Sequence, residues 1–283
     1  MFTLKAPAKI NWFLFILGKR ADGYHEIQSL MQCISLYDTL TFKESGGIEI
    51  VTDSPILTDD NLIYRAALLL RKLTSAKKGA RITLKKEIPL SSGMAGGSSD
   101  AACALIGLNR LWGLNLTGKQ MSEAADSLGS DVPFFLNGPS ALIAGRGEKV
   151  MPVALKSPCT LLLLKQDEGV STEWAYSEAG RDLKKTSARE KGDMKSLCRA
   201  IGAGDFKSLK SLARNDLEGP VIRRYPAVHE MKRKLAGAGA LFSAMSGSGP
   251  TVFGVFGDEK TAEEAKGSFP SGWSRVVKTL TEV

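Results

Sequence analysis

The 283-residue chain is sparing with several residue types, and each scarcity closes a route. Its four cysteines, Cys33, Cys103, Cys159 and Cys198, stand far apart with no metal-ligand spacing, which argues against a zinc site or a disulfide framework. Three of them have apolar neighbours, as reduced core cysteines do, and the chain reads as cytoplasmic. Only two histidines occur, His25 and His229. No stretch approaches the ~20 apolar residues of a membrane span, so no membrane partner is expected. The apolar run 10–17 behind Lys5 and Lys9 imitates a secretory signal. Asn11 interrupts it, however, and Gly18-Lys19-Arg20-Ala21-Asp22 follows without a small-residue cleavage pattern. No fixed-period repeat is present. The common nucleotide fingerprints are missing too. No Gly-x-Gly-x-x-Gly closes a strand, and the one near match to a P-loop, Gly113 to Gly118-Lys119, continues with Gln120 where a hydroxyl is required.

What is present points to a folded protein that handles anions. The chain is 43% hydrophobic and 24% charged, enough for two domains or one large one. Its net charge of +8 favours an acidic partner. The lysines and arginines are scattered, and no basic run is interleaved with aromatics. A phosphorylated small molecule is therefore preferred over nucleic acid.

Periodicity predicts strands at 9–17, 27–42, 48–51, 81–86, 140–144 and 159–164. A strand at 9–17 puts Lys9, Asn11, Phe13 and Phe15 on one face. Asp59, Asp60 and Asn61 can cap a helix reaching about Leu73, with Leu62, Ala66, Leu69, Leu70 and Leu73 as its stripe. Further helices are predicted over 100–112, 118–128, with Gly129 at its end, 206–213, 228–235 and 259–266. Ser130-Asp131-Val132-Pro133 reads as another helix start. Residues 241–256 read as strand, glycine turn and strand, and 275–280 as a last strand. Residues 171–176 read as a loop or helix start with two aromatics, and the charged run 181–191 as a solvated face or mobile loop.

The organising stretch is Pro89, Leu90, Ser91, Ser92, Gly93, Met94, Ala95, Gly96, Gly97, Ser98 and Ser99, between a strand (80–88) and a helix (100–112). Glycine lets backbone amides approach an anion, and a helix start adds unpaired N–H groups and a positive dipole end. Together they make a phosphate cradle. Asp131 is the best candidate for a general base, its carboxylate ionised at a helix start; a plain N-cap is the alternative. Lys9 is the candidate to hold an accepting oxygen or neutralise Asp131, against a surface lysine. His25 beside Tyr24 suits recognition of a base edge and face, or is simply a solvated loop histidine. His229 reads as surface.

These motifs resemble those of the GHMP kinases. Pro89 to Ala102 is similar to their second motif, Ser246-Gly247-Ser248-Gly249-Pro250-Thr251 to their third, and Lys5-Ala6-Pro7-Ala8-Lys9-Ile10-Asn11 to their first. Gly18-Lys19-Arg20-Ala21-Asp22-Gly23-Tyr24-His25 and Gly129-Ser130-Asp131-Val132-Pro133-Phe134-Phe135 narrow the likeness further. They resemble the branch that phosphorylates the 2-hydroxyl of 4-diphosphocytidyl-2-C-methyl-D-erythritol in non-mevalonate isoprenoid synthesis. The resemblance implies an α+β, two-domain GHMP kinase fold: a ribosomal-protein-like N-terminal domain (1–155), a ferredoxin-like C-terminal domain (156–283), and the active site between them. It implies ATP and Mg²⁺, a small-molecule substrate, and a monomer or weak homodimer.

By the same resemblance Lys9 and Asp131 are catalytic, and residues 89–99 hold the phosphates, with Ser99 reaching Mg²⁺. Asn61, Leu62 and Lys86 lie near the adenine. Asn11, Tyr24, His25, Tyr176, Gly247 and Ser248 bind the substrate, with Trp174 as rival to Tyr176 for stacking on the cytosine. Ser91, Ser92 and Ala95 stand where glycine is usual and Met94 where leucine is commoner, so the bend is expected to differ locally. Two alternatives carry less of this pattern: a GHMP kinase for homoserine or a mevalonate-type alcohol, and a non-catalytic nucleotide- or RNA-binding protein.

Overall fold

The computed structural model describes residues 1–53, 55, 60–183, 193–270 and 272–282. Asp59 of the expected cap and most of the charged run 181–191 lie outside them. The chain divides into two compact units. The first comprises Met1–Ala8, Leu36–Leu90 and Ala95–Gly138; the second comprises Lys9–Ser35, Ser91–Met94 and Pro139–Val283. Two long strands, β1 (Phe2–Lys19) and β2 (His25–Ser45), contribute to both.

In the first unit the later half of β2 pairs antiparallel with β4 (Gly79–Lys85), and β3 (Ile48–Thr52) pairs parallel with β4. Helices α1 (Leu62–Thr74), α2 (Gly96–Trp112) and α3 (Gly118–Leu128) pack on one another, and their apolar faces meet Leu40, Phe42, Ala80, Ile82 and Leu84. Asn61 caps α1, its Oδ1 accepting from the Ile63 N–H at 2.9 Å. The buried stripe of α1 is Ile63, Ala66, Ala67 and Leu70. Of the expected stripe, Ala66 and Leu70 are buried and Leu62 and Leu69 pack partly buried against the same core, while Leu73 at the end of the helix is 58% exposed. Ala101, Leu105, Leu108 and Trp112 of α2 are buried as predicted. Gly107 lets α2 sit on the Phe42 ring, where a Cβ would lie 2.3 Å from a ring carbon.

The P-loop near match is a helix signal. Gln120 and Thr117 form the capping box of α3, Gln120 Oε1 accepting from Thr117 N–H (2.9 Å) and Thr117 Oγ1 from Gln120 N–H (3.3 Å). Gly129 ends α3 in extended backbone (φ 167°), a conformation open to any residue.

In the second unit the earlier half of β2 pairs antiparallel with β5 (Ser140–Gly145), which pairs with β6 (Lys149–Pro152), a strand the periodicity did not announce. The alternation of β1 holds. Lys9 bonds Asn11 and Phe13 stacks on Phe15 at 5.1 Å, while Trp12 on the other face packs against Phe206, Phe242 and Phe253. A four-stranded antiparallel sheet follows, ordered β10 (Trp273–Lys278), β7 (Thr160–Lys165), β9 (Val252–Phe256), β8 (Phe242–Met245).

Helices α4 (Thr172–Leu183), α5 (Met194–Ala203), α6 (Phe206–Leu212), α7 (Glu218–Arg224) and α8 (Pro226–Gly237) lie between β7 and β8 in the chain, and α9 (Glu259–Gly267) between β9 and β10. Both α8 and α9 pack on the sheet. That strand order, with a crossover in each half, is the ferredoxin-like arrangement the resemblance implied. The short α5 and α7 were not foreseen.

Candidate active site

The glycine stretch begins its helix earlier than the pattern 100–112 suggested. Helix α2 starts at Gly96, so Gly96, Gly97, Ser98 and Ser99 form its first turn. Periodicity missed them because none of the four carries an apolar side chain. The Ser99 N–H donates to Ala95 O at 3.0 Å, the first bond of the helix. The amides of residues 96–98 precede it and have no intrahelical acceptor. Before them the chain bends sharply: Ser91 (φ 48°), Gly93 (φ 73°) and Ala95 (φ 54°) are all left-handed. The expected local departure therefore takes the form of two non-glycine residues held in that region, while Ser92 keeps ordinary backbone.

Gly93 has no room for a side chain, since a Cβ would lie 2.2 Å from Ser246 O. Gly96 is similarly confined, 2.9 Å from Ile88 Cγ2 and 3.2 Å from Lys86 Nζ. The Ser99 hydroxyl is buried and has no hydrogen-bond partner among the described residues.

Around Gly93 the second unit assembles first and third motifs. The Lys9 ammonium, buried to 3% exposure, donates to Asn11 Oδ1 (2.6 Å) and Gly93 O (2.9 Å), and the Lys9 N–H donates to Met94 O (3.1 Å). Asn11 is fixed in turn, its Nδ2 donating to Ser29 Oγ (2.7 Å), which donates to Phe13 O (2.6 Å). The hydroxyl of Ser246 also donates to Gly93 O (3.0 Å). Gly247 (φ 54°) closes over this group, where a Cβ would stand 3.1 Å from Lys9 Nζ. Lys9 is thus neither a surface lysine nor mobile.

Sequence reasoning missed Asn215. Its Nδ2 donates to Met245 O (2.9 Å) and Gly247 O (2.8 Å), holding the third-motif turn from a neighbouring segment. No local pattern marks it. The Ser248 hydroxyl shares a hydrogen bond with Thr172 Oγ1 at 2.9 Å, which ties the turn to the start of α4.

One turn further along α4, Tyr176 stacks on His25 with ring centroids 5.6 Å apart and planes 25° apart. Burial, reinforced by the charge of Lys19, lowers the His25 pKa, so the imidazole is neutral near pH 7. Its Nε2 is buried and has no hydrogen-bond partner among the described residues. Tyr24 is 52% exposed and lies under the Arg146 guanidinium at 5.0 Å. Trp174 is engaged elsewhere, edge-on to Tyr225 at 5.8 Å and beneath Arg224 at 4.7 Å. Tyr176 is therefore the aromatic associated with His25. His229 is exposed, as read.

In the first unit, Leu62 Cδ1 lies 3.8 Å from the Cβ position of Gly97, which sets Asn61 and Leu62 beside the first turn of α2. Lys86 forms ion pairs with Asp38 and Asp100. Asp131 lies in a turn, half-buried. The helix expected there is a single 3-10 turn, Pro133–Leu136, whose capping residue is Val132. It stops because Asn137 Nδ2 takes Pro133 O (2.7 Å) and the Asn137 N–H bonds Phe134 O (3.1 Å). The turn packs on α2 and α3. Both the dipole argument for Asp131 and its reading as an N-cap are corrected, since four residues sum few peptide dipoles and the cap position falls to its neighbour.

Two family models match, described as "GHMP kinases N terminal domain" over residues 61–139 and "GHMP kinases C terminal" over 194–275. A relative from Thermodesulfovibrio yellowstonii, the 4-diphosphocytidyl-2-C-methyl-D-erythritol kinase, is 47% identical over 100% of this chain and 99% of its own length. The chain belongs to the GHMP kinases. A second relative of the same name, from Pelotomaculum thermopropionicum, is 41% identical over 99% of this GHMP kinase and 98% of its own length. The crystal structure of a 4-(cytidine 5'-diphospho)-2C-methyl-D-erythritol kinase superposes with a TM-score of 0.86 at 30% identity, covering 98% of this chain and 99% of that one. A homoserine kinase from Cytophaga hutchinsonii shares the fold, with a TM-score of 0.73 at 18% identity over 99% of this chain and 94% of its own. This GHMP kinase is accordingly an ATP-dependent phosphotransferase.

Proposed function

We propose that the protein transfers the γ-phosphoryl group of ATP to the 2-hydroxyl of 4-diphosphocytidyl-2-C-methyl-D-erythritol. The observation that carries this is identity of 47% along the whole chain to a kinase named for that alcohol. The stack of His25 on Tyr176 supports it, because a cytosine offers an aromatic face and a polar edge whereas homoserine and mevalonate offer neither.

In this reading residues 89–99 hold the triphosphate, chiefly through the backbone N–H groups that lie between Pro89 and Ser99, with Asn61, Leu62 and the Lys86 region beside the adenine. Asp131 takes the proton of the accepting hydroxyl, and Lys9, fixed by Asn11 and Gly93, supplies positive charge to that oxygen. Asn11, Tyr24, His25, Tyr176, Gly247 and Ser248 position the substrate. Mg²⁺ takes few protein ligands and shares the rest with water and phosphates. The Ser99 hydroxyl, without a hydrogen-bond partner among the described residues, suits one such contact, and the ion would neutralise charge on the phosphates. The enzyme is taken to act in the cytoplasm as a monomer or weak homodimer, without nucleic acid, and with a domain boundary near residue 155.

Coupled ATP turnover with the cytidyl alcohol, homoserine and mevalonate tests the substrate; activity on homoserine alone overturns the assignment. Asp131→Asn is expected to leave ATP affinity within a few-fold and to lower turnover at least ~100-fold, as loss of a general base does. Near-normal turnover in that variant removes Asp131 from the chemistry.

A further inference from the structure

The buried ion cluster of the first unit takes no part in the proton and phosphoryl transfer proposed above, and its side chains have no role assigned there. Lys86, just beyond β4, donates to Asp38 of β2 and to Asp100 of α2, the latter at 2.8 Å. Side-chain exposures are 11% for Lys86, 0% for Asp38 and 5% for Asp100. The second oxygen of Asp38 accepts from the N–H groups of Glu87 (2.6 Å) and Ile88 (2.9 Å), which lead into Pro89. On the far side of the bend, a Cβ at Gly96 would sit 3.2 Å from Lys86 Nζ. One ammonium is thus linked through Asp38 to the backbone entering the glycine bend and through Asp100 to the helix leaving it.

That helix needs an anchor. Its first turn is Gly96-Gly97-Ser98-Ser99, poor helix formers, and Ala95 at its cap makes no side-chain bond. Asp100 and Lys86 provide the tie that local sequence does not. Lys86 also balances the one carboxylate in the opening turns of a helix whose N-terminus is to face phosphates. Pulling the ammonium towards a nucleotide would strand two buried carboxylates, a penalty larger than one new hydrogen bond returns.

We infer that Lys86 is a positioning residue that bolts the start of α2 to the end of β4 through Asp38 and Asp100, and that its side chain does not itself bind the nucleotide. This rests on the reading of residues 89–99 as the triphosphate cradle.

A double-mutant cycle tests it, using full-length Lys86→Met, Asp100→Leu and the double variant. Affinity for a non-hydrolysable ATP analogue and KM for the cytidyl alcohol are measured beside unfolding midpoints. Each single variant is expected to weaken the analogue ~10-fold, and the double variant no more than the worse single, as for residues acting as one unit. The KM for the alcohol stays within about 3-fold, since the clamp acts on the nucleotide side alone. Asp100→Asn, which keeps an acceptor for Lys86, restores affinity to within about 3-fold of the parent.

Effects that multiply in the double variant, or a loss in Lys86→Met without one in Asp100→Leu, make Lys86 a direct ligand and overturn the inference. Should Lys86→Met fail to fold, equal affinities in Asp100→Leu and Asp100→Asn overturn it as well. A parent protein that does not bind the analogue at all would defeat the cradle reading instead, and the two failures are thereby distinguished.

Discussion

At the scale of single residues, the site depends on positions where a side chain has no space. Gly93 combines a left-handed backbone (φ 73°) with a Cβ position 2.2 Å from Ser246 O. Gly93→Ala should therefore destabilise the protein by about 1–3 kcal/mol and displace the acceptor of the Lys9 ammonium. Urea unfolding and turnover measured together check this; an unchanged midpoint with full activity would contradict it. The neighbouring Ser91 and Ala95 show what sequence pattern cannot weigh, since the chain accepts a left-handed conformation at both without glycine. His25 gives a pH prediction with a definite sign. Its pKa is lowered in the fold by burial and then by Lys19, so the unfolded chain binds the proton more readily. The contribution to stability is present above the ordinary value of about 6.5 and is lost as pH falls through it towards the lowered value. A His25→Phe variant, which keeps a ring against Tyr176, should show a shallower fall in melting temperature between pH 7 and about 5 than the parent. Parallel profiles would remove His25 from the acid response.

At the scale of elements, the apolar stripes and the Asn61 cap were legible, and helix starts poor in apolar residues were not. Asn61 was readable as the start of α1 because an Asn before an apolar run satisfies an exposed N–H, and its Oδ1 does so at 2.9 Å. Asn61→Ala should cost about 1 kcal/mol, read as a shift of the urea midpoint at unchanged slope. No shift would mean that packing alone sets the helix start. The stripe of α1 holds except at Leu73, and Ile63 and Ala67 join it because contacts with α2 and α3 widen the covered face. The start of α2 escaped periodicity because its first turn is glycine and serine. Asp131 was read into a helix that Pro133 and Asn137 reduce to one 3-10 turn. The start of α2 and the short turn at Pro133 were decided by neighbours in the chain, and only the covered face of α1 by tertiary contacts.

At the scale of the whole molecule, the net charge of +8 bears on ATP, a polyanion. The KM for ATP should rise between about 0.05 and 0.5 M KCl while kcat changes less, as screening weakens long-range attraction more than buried contacts. A KM indifferent to salt would assign binding to short-range contacts alone. The sequence by itself determined the alternation of β1, the glycine-serine bend with a helix behind it, the paired third-motif turn and the family, because those signals lie within a few residues of one another. Only the tertiary structure decided that Lys9 is locked by Asn11 and Gly93, that Asn215 braces Gly247, and that Lys86 is claimed by two aspartates. The partners in the last pairings stand 32, 48 and 14 residues apart in the chain, and separations of that size are closed by packing, which no local pattern encodes.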